Sequence, residues 1–171
     1  MRNASALIFV VILRLATVSP AHAQDEGTKT PVAYNQVVSA SPILSMFKWF
    51  NVEYERKINP TTTWSVSGSF FPIGDITYRN ATLQLRYYPQ RAVFTGFYLG
   101  ATTGVYGVGN AHDRAVVYGA GTEVGYAWLF GSDRNVGVSV GLGATRLFGG
   151  DLSRHSLTIP TIRLLNVGIA F

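Results

Sequence analysis

The strongest constraint in this sequence is a side-chain period of two, sustained over unusually long runs. From Asn135 to Thr145, Val136, Val138, Val140, Leu142 and Ala144 alternate with Gly137, Ser139, Gly141, Gly143 and Thr145. Alternation at 180° per residue places the two sets on opposite faces of an extended chain. The pattern recurs from Thr82 to Tyr88, where Leu83, Leu85 and Tyr87 oppose Thr82, Gln84, Arg86 and Tyr88. It recurs from Val116 to Trp128, with Val116, Tyr118, Ala120, Val124, Tyr126 and Trp128 set against Gly119, Gly121, Glu123 and Gly125. No window of helical length carries an i, i+3, i+4, i+7 apolar stripe, so the chain is all-β.

Breaks at Ser41-Pro42, Asn59-Pro60, Pro72 to Asp75, Pro89 to Arg91, Gly107 to Arg114, Gly131 to Asp133 and Gly149 to Asp151 divide it into eight strands. These are expected at about 32–41, 48–58, 62–71, 78–88, 95–106, 116–129, 134–147 and 157–171. Most run for ten residues or more. Globular strands average five or six, whereas a tilted strand that crosses a bilayer takes roughly 9–11.

Composition narrows the class. Only 13% of the 171 residues are charged, against roughly 25% in a soluble domain. With 47% hydrophobic residues the chain is no disordered tail. The absence of cysteine excludes a disulfide scaffold, a thiolate metal site, a cysteine nucleophile and a lipoprotein anchor. Met1 to Ala23 reads as an export signal: Arg2, an apolar stretch from Ala4 to Leu13, and Ala21-His22-Ala23 as a small-x-small cleavage site. The apolar stretch is too short to span a bilayer. Residues 24–31 are a polar spacer, and 32–171 form the barrel domain. Without Arg2 and Arg14 the remaining 12 basic and 9 acidic residues leave a charge of +3, scattered singly, so nucleic acid is not an expected partner.

Eight long antiparallel strands can close a barrel with either face outward. The polar face here is mostly Gly, Ser and Thr with a few isolated charges, unlike a water-exposed coat rich in Lys and Glu. Small residues fit the tight interior of an eight-stranded barrel. The Val, Leu, Ala and Phe face then meets lipid, where a sheet must close on itself because lipid cannot satisfy a free strand edge. The expected fold is therefore an eight-stranded antiparallel up-and-down transmembrane β-barrel. Aromatic residues gather near strand ends, as interfacial anchors do. Tyr54, Trp64, Tyr87, Phe97, Tyr126, Trp128 and Phe171 are expected at one rim. Trp49, Phe70, Phe71, Tyr78, Tyr106, Tyr118 and Phe148 are expected at the other.

Leu165, Val167, Ile169 and Phe171 share one face and end on an aromatic residue, which resembles the C-terminal insertion signal of bacterial outer-membrane barrels. The stretch Phe50-Asn51-Val52-Glu53-Tyr54-Glu55-Arg56, followed by Trp64-Ser65-Val66, is similar to an N-x-G-V-E-Y-R … W-S-L pattern of an uncharacterised barrel-domain family of Gram-negative bacteria, though Val52 follows Asn51 where a glycine is usual. The resemblance covers roughly residues 32–171. It implies a fold and a place in the cell outer membrane, with lipids and the barrel-insertion machinery as partners and a monomeric state, and it implies no reaction.

Charge inside such a barrel has to be paired, because an unpaired buried ion costs several kcal/mol. The phase of the second strand turns Asn51, Glu53, Glu55 and Lys57 inward, and Arg86 and Glu123 also fall on inward faces. An interior ladder linking Glu53, Glu55 and Glu123 to Arg86 and Lys57, and plugging the lumen, is expected. Arg56, Arg146 and Arg163 fall on the lipid phase, where they reach headgroup phosphates or are turned inward by a bulge. The alternative function is a lipid-modifying enzyme of the lipid A deacylase kind. That chemistry needs a His and a Ser two residues apart on one strand. Here His155 and Ser156 are adjacent and point to opposite faces if extended, and His112-Asp113 has no serine beside it. His112, Asp113, Asp151 and His155 are the residues a metal at the outer rim would use. No G-x-S-x-G, H-E-x-x-H or phosphate-cradling loop is present. The expectation is a non-enzymatic barrel without cofactor or metal, with a structural or surface-interaction role.

Overall fold

The computed structural model describes residues 34–109, 114–149 and 157–171. Eight antiparallel strands follow one another round a closed up-and-down barrel: β1 (Gln36–Ala40), β2 (Phe50–Asn59), β3 (Thr62–Ile73), β4 (Ile76–Tyr87), β5 (Gly96–Gly109), β6 (Arg114–Phe130), β7 (Val136–Phe148) and β8 (Leu157–Ala170). The ladder leads from Val38 through Tyr54, Val66, Leu83, Thr103, Ala120 and Arg146 to Thr158 on β8. That is eleven residues before Ile169, to which Val38 is itself paired. This stagger tilts the strands against the barrel axis and sets the bore.

The first strand is shorter than the sequence suggests. It spans Gln36–Ala40, and the chain then turns into a one-turn helix, α1 (Pro42–Met46). The signal for it is Ser41-Pro42. Ser41 Oγ accepts from Leu44 N at 3.3 Å, and proline at the first helical position lacks only an N–H that has no helical partner anyway. The same Ser41 hydroxyl donates to the Leu164 carbonyl at 2.8 Å, tying the β1–β2 connection to β8 beyond the point where β1 stops.

The faces are inverted relative to a water-soluble barrel. Side chains on the outer face are large and apolar, with Leu142 at 62%, Ile169 at 63% and Leu83 at 51% exposure. Most buried side chains are polar or charged, among them Glu53, Glu55, Thr63, Ser65, Gln84, Arg86, Glu123, Thr145 and Asn166. One apolar layer closes an end of the lumen. The connection from β4 to β5 turns back so that Phe94, at φ 65°, is buried against Val37 and Ala170, with Tyr34, Val93 and Leu129 around it. A left-handed backbone at a bulky residue costs about 1–2 kcal/mol. Burying a phenyl ring returns about as much or more.

A bulge in β8 resolves a conflict between two halves of that strand. Ser139 pairs with Asn166 and Gly141 with Arg163, so Val140 on β7 faces two residues, Leu164 and Leu165. Leu165 takes φ 29° there and is half-buried. Before the bulge Ile162 and Leu164 face outward, and after it Val167 and Ile169 do. One expectation is corrected as a result: Leu165 does not share the exposed face of Val167, Ile169 and Phe171. Of the two readings open for Arg163 the bulge selects the inward one, and the side chain points into the barrel. An extra residue shifts the phase of an extended chain by one, which exchanges its two faces. Deleting Leu165 removes the extra residue and leaves a regular strand on which Ile162, Leu164, Val167 and Ile169 still face outward and Arg163 inward. The variant is expected to keep the folded β-sheet signal and a cooperative thermal transition by circular dichroism in detergent.

Candidate functional site

The cluster that fills the lumen is built from five strands. Glu53 and Glu55 come from β2, Gln84 and Arg86 from β4, Tyr98 from β5, Glu123 from β6 and Arg163 from β8. Period two puts Glu53 and Glu55 on one face of β2, and Gln84 and Arg86 on one face of β4. Arg86 Nη2 donates to Glu53 Oε1 at 2.8 Å, and its Nη1 pairs with Glu55. Arg163 Nη2 donates to the other oxygen of Glu53 at 2.7 Å, while its Nε donates to Glu123 Oε1 at 3.0 Å. Glu53 is thus the central acceptor, with one guanidinium on each oxygen. Arg163 Nη2 also reaches Gln84 Oε1 at 3.2 Å.

Three carboxylates face two guanidiniums here, and hydroxyl groups meet the surplus negative charge. Thr63 Oγ1 donates to Glu55 Oε1 at 2.5 Å and Tyr88 Oη to the same oxygen at 3.0 Å. Tyr98 Oη donates to Glu123 Oε1 at 2.7 Å, and the Tyr98 ring lies 4.9 Å beneath the Arg86 guanidinium. Such stacking adds attraction where water is excluded. Space for these long side chains comes from glycine on the neighbouring strands β6 and β7. A Cβ at Gly141 would lie 2.8 Å from Tyr98 Oη and 2.9 Å from Glu123 Oε1. The cavity bordering Glu55, Tyr88, Phe94 and Asn166 measures about 20 Å³, room for about one water.

Each expected site residue can be located. Glu53, Glu55, Arg86 and Glu123 meet in the cluster. Lys57 does not: among the described residues it makes no ion pair. It sits beside the irregularity between Lys57 and Asn59 at the end of β2, half-exposed. An ammonium near a rim keeps its water, and bringing it into the cluster would cost desolvation. Arg163 takes the place expected of Lys57. The residue types left either reading open, because only the bulge decides which way Arg163 points.

Tyr54, Trp64, Tyr87, Tyr126 and Trp128 lie on the outward phase near one end, with Tyr54 edge-on to Trp64 at 5.7 Å and Tyr126 beside Trp128 at 4.7 Å. Trp49 is the exception to the expected belt. It stacks on Phe71 at 4.9 Å and meets Tyr78 edge-on at 5.9 Å, and both of those rings follow the inward phase of their strands. Tyr106 is buried as well, so Phe70, Tyr118 and Phe148 carry the outer aromatic face at that end. Ring type and position along a strand were legible, but parity divides these neighbours between two environments. His112, Asp113, Asp151, His155 and Ser156 lie outside the described residues.

The arrangement belongs to the class of closed eight-stranded antiparallel barrels with a polar, ion-paired interior. The chain is a member of the family described as "Protein of unknown function (DUF3575)", whose model matches residues 8–149. No curated protein and no solved structure matches it significantly.

The cluster predicts a clear ranking of variants. Arg163→Met leaves buried Glu123 without its ion pair and Glu53 with one guanidinium instead of two, and is expected to lower unfolding stability by about 3–5 kcal/mol. Lys57→Met is expected to change it by less than about 0.5 kcal/mol. Denaturant unfolding in detergent, followed by tryptophan fluorescence, measures both.

Proposed function

We propose that this protein is an integral barrel of the bacterial outer membrane, a scaffold whose role is structural or directed to the cell surface, with no reaction of its own. The inverted polarity of the wall carries this reading: a continuous apolar exterior around an interior of paired ions. Water favours the opposite arrangement, whereas lipid requires this one together with a closed sheet.

The charge distribution supports it. Every carboxylate on a strand faces inward, as Glu53, Glu55 and Glu123. The outward strand cations Arg56, Arg79 and Arg146 are exposed and lie within a few residues of strand ends. Cations at two rims with no acids between them match a surface bounded by phosphate layers. The start of β1, the end of β8 and the short turn after Asn59 lie at one end, which the reading places on the periplasmic side. α1 and the Gly74–Asp75 turn then lie on the outer side.

The lumen is closed twice, by the ion-paired cluster and by Phe94 with its neighbours, so the barrel is a support and not a channel. The expected outcome is recovery in the outer-membrane fraction, a faster-migrating form on unboiled gels, and no stable single-channel conductance in planar bilayers. Recovery as a soluble protein would overturn the membrane reading, and a steady conductance would overturn the closed lumen.

A further inference from the structure

Outside the lumen, the wall carries a groove in which an apolar track ends at a cation. The outward row Phe50–Phe70–Arg79 runs across β2, β3 and β4, since Phe50 pairs with Phe70 and Phe70 with Arg79. The next outward row toward the middle of the barrel is Val52–Gly68–Ala81. Two small residues side by side under two aromatic rings leave a notch, an open groove of about 510 Å³ bounded by Phe50, Val52, Gly68, Phe70 and Arg79. That lies within the range of sites for small molecules. A Cβ at Gly68 would have only the Asn80 carbonyl within reach, at 3.8 Å, so the notch is space left by the missing side chain and not a packing need of the barrel.

Arg79 stands at the rim end of this notch. Its guanidinium carbon is 5.3 Å from the centre of the Phe70 ring, which holds the planar group over the wall. Among the described residues it makes no salt bridge, and the strands present no outward carboxylate to pair with it. A guanidinium fixed on a ring and lacking an anion is complementary to a phosphate, which it binds through two parallel hydrogen bonds. The apolar track below it runs toward the mid-barrel and fits a hydrocarbon chain.

We propose that this groove binds one phosphorylated lipid, its phosphate on Arg79 and an acyl chain along the Gly68–Ala81 notch. The inference deepens the membrane reading and rests on it, since it names a lipid class for one face of the wall.

The test uses the full chain in detergent, with native mass spectrometry after addition of dioleoyl phosphatidic acid, dioleoylglycerol or inorganic phosphate. The parent should retain phosphatidic acid and release both dioleoylglycerol and inorganic phosphate. R79Q should reduce phosphatidic acid retention by about tenfold, with R79K intermediate, as expected for loss of a charge-assisted, two-pronged contact. G68L fills the notch from the outside, where its Cβ meets only the Asn80 carbonyl at an ordinary contact distance of 3.8 Å, and should reduce retention to a similar degree while unfolding at the parent's temperature or above it. R56Q, at the opposite rim, should behave as the parent. Equal retention by the parent and R79Q, or by phosphatidic acid and dioleoylglycerol, would overturn the proposal, and so would retention of inorganic phosphate alone. If R79Q matches the parent while the protein still fractionates with the outer membrane, the groove assignment fails and the membrane reading stands. If the protein is soluble and retains no lipid, both fail.

Discussion

The bidentate position of Glu53 between two guanidiniums is the interaction on which the interior depends. Arg86 reaches it from β4 and Arg163 from β8, strands that never pair with β2 in the sheet. Backbone ladders hold each strand to its neighbours, but only contacts through the lumen hold opposite walls at a fixed distance. In a soluble barrel apolar packing performs that task. Here the apolar surface faces outward, so oriented charge pairs and hydroxyl donors take it over. The arrangement is demanding, because removing either arginine leaves a buried carboxylate, Glu55 or Glu123, without its ion pair. It is also specific: Gly125 and Gly141 on the neighbouring strands are placed where Tyr98 and Glu123 need room.

The β8 bulge is the backbone counterpart of that cluster. Ile162 and Val167 both belong on the exterior, yet their numbers differ in parity. A regular strand could satisfy only one of them. One extra residue satisfies both and swings Arg163 inward, so a local irregularity supplies the second guanidinium of the core. The bulge is therefore what lets a strand of this spacing keep both its apolar exterior and Arg163 in the cluster.

The exterior is simpler in chemistry and more informative about use. Its aromatic rings, its rim arginines and the absence of outward carboxylates among the described strand residues are what the proposed surroundings, an apolar middle with anionic edges, rest on. Membership of a family of unknown function adds no reaction to this picture. What the wall offers is an apolar groove ending at Arg79 and, at the end of α1, the exposed apolar residues Met46 and Phe47. The proposed surface role rests on this exterior, and among the described residues the lumen, filled by the ion-paired cluster and by Phe94, gives no feature of a transport path.

Much of this was legible in the linear sequence because its cause is local. Period two, strand length and turn residues depend only on near neighbours, and they define an eight-stranded sheet with one apolar and one polar face. Glu53, Glu55, Arg86 and Glu123 could be assigned inward for the same reason, each lying in an uninterrupted alternating run. The helix after Ser41-Pro42 had a local signal too, a capping serine and a proline, but it stood inside a segment whose alternation already suggested an ordinary turn. Three matters were decided by the tertiary structure alone. Whether Lys57 or Arg163 completes the cluster depends on a bulge that only the pairing of β7 with β8 reveals. Whether Trp49 anchors at a rim or stacks inside depends on where Phe71 and Tyr78 bring their rings. The notch beside Arg79 exists only because Gly68 and Ala81, distant in sequence, are set side by side by strand register. Period two is a property of one strand, so the sequence determines which faces exist. Register and bulges are properties of two strands together, so only the closed barrel determines which residues meet.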